Sequence, residues 1–285
     1  EVRDIGYLFR FLRRSSHTKA NNPWKIVTSA LHEFDPYSHP LSCHTEAGVT
    51  AANSEFINIP GYNWVAAQTY VKRLWPQDFT SAKLNYYSCN YPVVLYEGNY
   101  ENLWTTEFGA RVQGWAAYLN GMCGYGYGVG DIWYYKSSYD MTEDTVREET
   151  ITVEEKNVVW GDMIHNANSV KLGYIKKFLQ QFEWWRLTPC FDEEKCFVIN
   201  NKTETFAFGS QIGQERIAVY VYNKSNSADI TLVDLDDSAV YTARWFDANT
   251  GEYLLIGDEI KSSGGRWSVK EKPSETDYVL ELIRK

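Results

Sequence analysis

The chain contains 285 residues, and 28 Lys and Arg against 37 Asp and Glu leave a formal charge of −9 at pH 7. This acidic balance argues against nucleic acid and anionic membranes as main partners, because affinity for polyanions comes largely from Lys and Arg. Aromatic residues make up 16% of the chain, so disorder is not expected. No stretch approaches the roughly 18 apolar residues of a membrane-spanning helix. We therefore expect a soluble, folded chain of one large domain or two ordinary ones.

The first two thirds of the chain alternate helical apolar spacing with short apolar runs. This alternation predicts βα units of a parallel sheet or barrel. The predicted helices cover residues 24–34, 64–75, 103–120 and 168–182, and the predicted strands cover residues 39–44 and 92–97.

Beyond Pro189 the period changes to short runs of β-branched and aromatic residues separated by turn residues. About seven strands at this spacing predict an antiparallel β-sandwich. We therefore divide the chain into a partial barrel at residues 1–190 and a β-domain at residues 191–285. The predicted strands cover residues 206–212, 216–222, 228–235, 240–248, 253–260, 266–270 and 277–283.

Five cysteines, an odd number at irregular spacing, form neither a zinc motif nor a disulfide framework. Only Cys190 and Cys196 are close enough in sequence to suggest a local bridge, and two buried thiols remain the alternative. We expect no metal and no cofactor, because phosphate-binding and dinucleotide-binding motifs are also missing.

Glu97 stands where the apolar run of residues 92–96 ends. A carboxylate in that place is costly unless it lies at the open mouth of the sheet, where barrels carry their catalytic groups. The same pattern fits a structural carboxylate paired with an arginine such as Arg111. Both interpretations stay open on these residues alone.

Other polar and aromatic residues lie at neighbouring strand ends. His44 closes one predicted strand, and Tyr127 and Trp133 follow a run of alternating glycines. Rings and polar groups around a carboxylate suit a sugar, whose C–H face stacks on aromatic side chains. Singly, each residue also has a structural explanation, and the glycines fit close strand packing. The charged residues 143–156 are expected to form a solvated loop, with a substrate lid as the alternative.

Several segments in order resemble the second half of the barrel in apiosidase-like glycoside hydrolases. The tail resembles the β-domain that follows this barrel and is often labelled collagen-binding. The segments that carry the resemblance are Asp-Pro-Tyr-Ser-His-Pro at 35–40, Tyr-Glu-Gly-Asn-Tyr-Glu at 96–101, Arg-Val-Gln-Gly-Trp at 111–115, Gly-Tyr-Gly-Tyr-Gly at 124–128, Trp-Trp-Arg-Leu-Thr-Pro at 184–189, and residues 243–251 and 277–280 in the tail.

The resemblance implies a retaining glycosidase acting on plant or microbial polysaccharide, with Glu97 as the nucleophile. It also implies a second carboxyl group as acid and base, which the family takes from an earlier barrel strand that this chain lacks. We therefore expect the acid/base residue outside this chain. The residues expected to line the sugar site are His44, Tyr100, Glu101, Arg111, Tyr127 and Trp133.

The expected architecture is the C-terminal part of a (β/α)8 barrel followed by a β-sandwich, in a secreted or periplasmic protein. We expect the chain to be a portion of a longer enzyme, whose missing N-terminal half is a partner along with the polysaccharide. A truncated parallel sheet would otherwise expose a strand edge. The alternative is a non-catalytic carbohydrate-binding or interaction protein.

Overall fold

The computed structural model describes residues 24–44, 57–68, 86–87, 90–133, 135, 159–191 and 195–285. The chain forms two compact units. The first comprises Glu1–Ala110 and Met122–Trp160, and the second comprises Arg111–Gly121 and Gly161–Lys285. None of the helices in the described ranges has the length and apolar character needed to cross a bilayer. Our division at residue 190 stays a prediction.

The first unit contains a small parallel sheet preceded by helix α1 (Trp24–Phe34). Its strands β1 (Val65–Gln68), β2 (Val93–Glu97) and β3 (Gly124–Tyr125) lie in the order β1-β2-β3. Residue 41 forms a parallel bridge with residue 62, and residue 44 forms one with residue 66, so residues 41–44 occupy a fourth strand position beside β1. The sheet thus follows chain order, as expected for successive βα units.

The predicted helix over residues 64–75 is wrong at its beginning, because residues 65–68 form strand β1. All four residues of β1 are buried, and they pair with β2 from Val65 opposite Val93 to Gln68 opposite Glu97. Two alanines favour a helix locally, but burial on both faces of a parallel sheet overrides that preference. Residues 69–75 lie outside the described residues.

Helix α2 (Glu107–Leu119) begins four residues later than predicted. Asn102 has a φ of 61°, in the left-handed region, and residues 102–104 form a turn before the helix. A left-handed residue cannot continue a helix, so the chain turns there first. Further helices within the described ranges are α3 (Gly130–Trp133), α4 (Trp160–Met163) and α5 (Ala167–Leu179). The α5 N-cap is Asn166, whose side chain accepts a hydrogen bond from the Asn168 amide.

The second unit contains two antiparallel sheets, which confirms an all-β region after the α/β region. The larger sheet has the strand order β10-β9-β12-β7-β6-β4, and the smaller sheet has the order β11-β8-β5. Short strands β4 and β5 were not predicted. The strands are β4 (Thr188–Pro189), β5 (Phe197–Ile199), β6 (Phe206–Ile212), β7 (Arg216–Tyr222), β8 (Ser227–Leu232), β9 (Tyr241–Asp247), β10 (Tyr253–Ile260), β11 (Trp267–Glu271) and β12 (Tyr278–Arg284).

One apolar core joins the two sheets of this unit. It includes Ile230 from the smaller sheet and Val219, Trp245 and Leu280 from the larger one, all nearly inaccessible to solvent. The opposite face of the larger sheet carries Phe246, whose ring lies 5.9 Å from that of Trp115 on α2. Helices therefore cover one face of this sheet and a second sheet covers the other, so that both faces are buried.

Cys190 and Cys196 form a disulfide bond. This resolves the alternative that the sequence left open. The bridge joins the end of β4 to the residue before β5, across a short segment.

Candidate functional site

Polar side chains lie at the carboxyl ends of three neighbouring strand positions in the first unit. His44 ends the first position, Gln68 ends β1 and Glu97 ends β2. Because the strands are parallel, these ends lie on the same edge of the sheet, and Gln68 is opposite Glu97 in the register. In α/β sheets and barrels this edge carries ligand-binding and catalytic groups.

Glu97 and His44 are brought together at this edge. The Glu97 residue is only 9% exposed, and its Oε2 lies 3.1 Å from Nε2 of His44. The orientation of the two groups is not that of a hydrogen bond, and the buried Nε2 of His44 has no hydrogen-bond partner among the described residues. Such pairs often align only when substrate binds. The ring of Tyr96 packs edge-on against His44 at 5.2 Å.

Glu101 and Tyr127 form a second pair. Glu101 is 1% exposed, and the Tyr127 hydroxyl donates a hydrogen bond of 2.6 Å to its Oε2. A phenol bonded to a carboxylate makes a short, strong hydrogen bond. Burial raises the pKa of the nearby Tyr125 well above its ordinary range, and the charge of Glu101 raises that pKa further. Tyr125 therefore stays a neutral hydroxyl beside this carboxylate.

Three aromatic rings cluster beside the Glu101–Tyr127 pair. The Tyr100 ring lies 5.2 Å from Trp104 and 5.6 Å from Trp133, and the two indoles are 5.9 Å apart. Trp133 is 41% exposed. We call Tyr100, Trp104 and Trp133 the aromatic cluster. Its partly exposed rings offer a surface on which the C–H face of a sugar can stack.

The alternating glycines serve close packing. A Cβ on Gly126 would lie 2.2 Å from the Tyr96 carbonyl oxygen, and one on Gly128 would lie 2.6 Å from the Tyr100 ring. Only glycine allows the segment after β3 to approach the segment after β2 this closely. The structural explanation of these glycines therefore holds.

The structure places Arg111 in a different setting from the one we expected. Its Nε and Nη2 donate to the two carboxylate oxygens of Asp277 at 2.9 and 2.8 Å, and both side chains are buried in the second unit. We had expected Arg111 to line the sugar site. Its bidentate pairing instead gives it a structural partner from the β-sheet region.

Two residues of this edge were missed in the sequence. Gln68 was hidden by the wrong helix prediction, although a polar residue ending a short apolar run was a usable signal. Trp104 follows Tyr100 by four residues in the segment after β2, and this aromatic spacing near Glu97 also pointed to it. The described residues hold no group of three or more His, Cys, Asp or Glu that could bind a metal ion. The predicted loop or lid at residues 143–156 lies outside the described residues.

Comparisons with known proteins agree with this architecture. Residues 10–186 match the family described as Apiosidase-like, catalytic domain. A crystal structure of a glycoside hydrolase family 5 protein from Bacteroides vulgatus is similar with a TM-score of 0.70 and 16% identity, over 92% of this chain and 58% of that one. A structure titled glycoside hydrolase gives a TM-score of 0.65 and 15% identity, over 92% of this chain and 61% of that one.

The structural likeness supports the fold alone at such identities. This chain spans about three fifths of the length of those two proteins. No curated protein matches the sequence. The family match covers more than half of the chain and includes His44, Glu97 and the aromatic cluster, so the chain belongs to the apiosidase-like family.

Proposed function

We propose that this chain is the C-terminal portion of a retaining glycoside hydrolase that acts on plant or microbial polysaccharide. The observation that carries the proposal is the position of Glu97, a nearly buried carboxylate at the carboxyl end of a parallel strand with His44 3.1 Å away. A carboxylate is needed there because the nucleophile must form a glycosyl ester and then release it.

The proposed reaction has two steps. An oxygen of Glu97 attacks the anomeric carbon while the glycosidic C–O bond breaks, and the departing oxygen takes a proton from a second carboxyl group. Water then attacks the same carbon, gives its proton to that second group and frees Glu97. His44 can donate an N–H to Glu97 and hold the carboxylate in place. The aromatic cluster supplies a stacking surface for the sugar.

The second carboxyl group belongs, in this proposal, to a part of the barrel outside this chain. The chain is similar to two glycoside hydrolase structures but spans only about three fifths of their length, which supports a missing part of the barrel. In the same proposal the first unit belongs to the C-terminal part of a (β/α)8 barrel, and the two antiparallel sheets form a β-sandwich. The Cys190–Cys196 disulfide supports a secreted or periplasmic location, because such bonds persist in oxidising compartments.

The test is hydrolysis of plant-wall oligosaccharides by the full-length protein and its Glu97→Gln variant. We expect the variant to lose at least about a thousandfold in kcat, since amides are poor nucleophiles and leaving groups here. The matched control is Glu252→Gln, which changes an exposed glutamate paired only weakly with Lys177 at 3.4 Å. Equal rates for Glu97→Gln and wild type would refute the nucleophile assignment.

The stereochemistry tests the retaining mechanism separately. NMR of the first sugar anomer released should show the configuration of the substrate, and a 2-fluoro glycoside should trap a covalent adduct on Glu97. An inverted first product would refute retention. Binding without any turnover by the full-length protein would favour the non-catalytic alternative.

A further inference from the structure

Glu101 and Tyr127 were both expected to touch the sugar, but their geometry suggests a different role. The Glu101 residue is 1% exposed, so its carboxylate is covered within the described structure. The Tyr127 hydroxyl is committed as donor to that carboxylate at 2.6 Å. A side chain that binds a sugar directly needs solvent-accessible surface, and Glu101 has almost none.

The pair lies between two segments that also bond through the backbone. The Glu101 amide donates to the Gly128 carbonyl at 2.9 Å, and the Gly130 amide donates to the Glu101 carbonyl at 2.8 Å. Three hydrogen bonds thus tie one residue of the segment after β2 to the segment after β3. A Cβ on Gly130 would lie 2.6 Å from the Cβ of Leu103, so the two segments are in direct contact.

The same two segments supply the aromatic cluster. Tyr100 and Trp104 come from the segment after β2, and the Trp104 amide donates to the Tyr100 carbonyl at 2.9 Å. Trp133 comes from α3, which begins at Gly130 in the segment after β3. The spacing of the three rings therefore depends on how the two segments are held together. The Glu101–Tyr127 bond is a side-chain bond between the two segments, and the Asn102 side chain donates a second one to Asp131 of α3 at 3.1 Å.

We propose that the Glu101–Tyr127 bond is a positioning device that sets the aromatic cluster, and that Tyr100, Trp104 and Trp133 hold the sugar ring beside Glu97. The ligand is a saccharide ring with an unobstructed C–H face, because that face stacks on partly exposed aromatic rings. In this proposal Trp104 is a specificity-determining residue. Glu101 and Tyr127 affect sugar binding only by positioning the aromatic cluster. This inference rests on the proposed function, since it assigns the sugar contacts of the same site.

Binding is measured in the full-length protein carrying Glu97→Gln, by tryptophan fluorescence during titration with xylose-, glucose- and galactose-based oligosaccharides. In that background the outcome does not depend on hydrolysis. We expect Tyr127→Phe and Glu101→Leu each to weaken binding of the preferred oligosaccharide about tenfold, and the double variant to be no weaker than either single one. Glu101→Gln keeps an oxygen acceptor for the phenol, so it should bind within about threefold of the parent. Trp104→Ala should weaken binding at least as much as Tyr127→Phe.

The matched control is Tyr241→Phe, which removes a buried hydroxyl that accepts a hydrogen bond from the Asp236 amide in the second unit. It should leave binding unchanged. Unchanged binding in Tyr127→Phe, or no binding of any oligosaccharide by the parent, would overturn the inference. In the active protein with Glu97 restored, loss of turnover in Glu101→Gln as severe as in Glu97→Gln would overturn it too, because Glu101 would then take part in the chemistry. Hydrolysis at the wild-type rate by Glu97→Gln would refute the proposed function while leaving the binding results to judge this inference.

Discussion

Removing one partner of the buried Arg111–Asp277 pair should lower the free energy of unfolding of the second unit by several kcal/mol. The Arg111 and Asp277 side chains are 6% and 1% exposed, and Asp277 also accepts hydrogen bonds from Tyr220 at 2.7 Å and Asn249 at 3.0 Å. The substitution Asp277→Asn keeps the shape and removes the charge. It leaves the guanidinium buried without a counter-charge, which typically costs about 3 to 5 kcal/mol.

The pH dependence of this cost has a definite sign. Burial tends to raise the pKa of Asp277, but the hydrogen bonds and charge of Arg111, with the bonds from Tyr220 and Asn249, outweigh burial and hold that pKa below its usual range. A carboxyl group with a lowered pKa in the folded state stabilises the protein above its unfolded pKa of about 3.9, and this contribution fades as the pH falls further. The difference between wild type and Asp277→Asn should therefore be full at pH 7 and shrink below about pH 4.

The assay is urea unfolding followed by tryptophan fluorescence, because Trp115 and Trp245 report on the second unit. The control is again Glu252→Gln, whose exposed pair should contribute less than about 1 kcal/mol. The double variant Arg111→Met with Asp277→Leu should recover much of the lost stability, because a buried ion pair can be replaced by apolar side chains. A cost below about 1 kcal/mol for Asp277→Asn at pH 7 would refute the reasoning.

Three other predictions concern stability. Gly126→Ala places a Cβ 2.2 Å from a backbone oxygen of β2 and should lower the free energy of unfolding by about 1 to 3 kcal/mol. Gly173→Ala in α5 places a Cβ that meets no described atom within 4 Å, so it should raise that free energy by about 0.5 to 1 kcal/mol in the same urea assay. Burial lowers the pKa of Lys272 to about 8, so above that pH the unfolded state binds more protons than the folded state. Between about pH 8 and 10, the free energy of unfolding of the wild type should therefore rise relative to that of Lys272→Met. Replacing both Cys190 and Cys196 by serine should lower the free energy of unfolding by about 2 kcal/mol, and reduction by dithiothreitol should have the same effect. An unchanged urea midpoint would contradict this estimate.

Much of the fold followed from local patterns. Helix α1 and strands β6, β7 and β10 have the bounds that the sequence predicted. In these segments the periodicity, turn residues and flanking prolines agree with the final environment, so local preference and packing point to the same structure.

The failures arose where distant residues decide the conformation. Residues 65–68 contain helix-favouring alanines, and only pairing with β2 makes them a strand. The late start of α2 depends on a left-handed Asn102, whose side chain donates to Asp131 of α3. A single-sequence pattern contains no information on that partner.

The candidate site shows the same division. A carboxylate after an apolar strand and an imidazole after another predicted that Glu97 and His44 share an edge, and the structure places them 3.1 Å apart. The local sequence around Arg111 could not predict its pairing with Asp277, which is 166 residues away in sequence. The sequence also grouped Glu101 with Tyr127, and the structure joins them by a hydrogen bond. The burial of Glu101, which no local pattern predicts, distinguishes a positioning pair from a pair that contacts a ligand.

Local sequence patterns predicted the two regions of different periodicity, the likeness to the apiosidase-like family and the carboxylate at a strand end. These features are local, because a strand end, a turn or a motif is written in neighbouring residues. Long-range packing determines which charges are paired, which carboxylate is buried and which aromatic rings pack beside it. Such choices depend on contacts between residues far apart in the chain, and their energies arise from burial that no local pattern specifies.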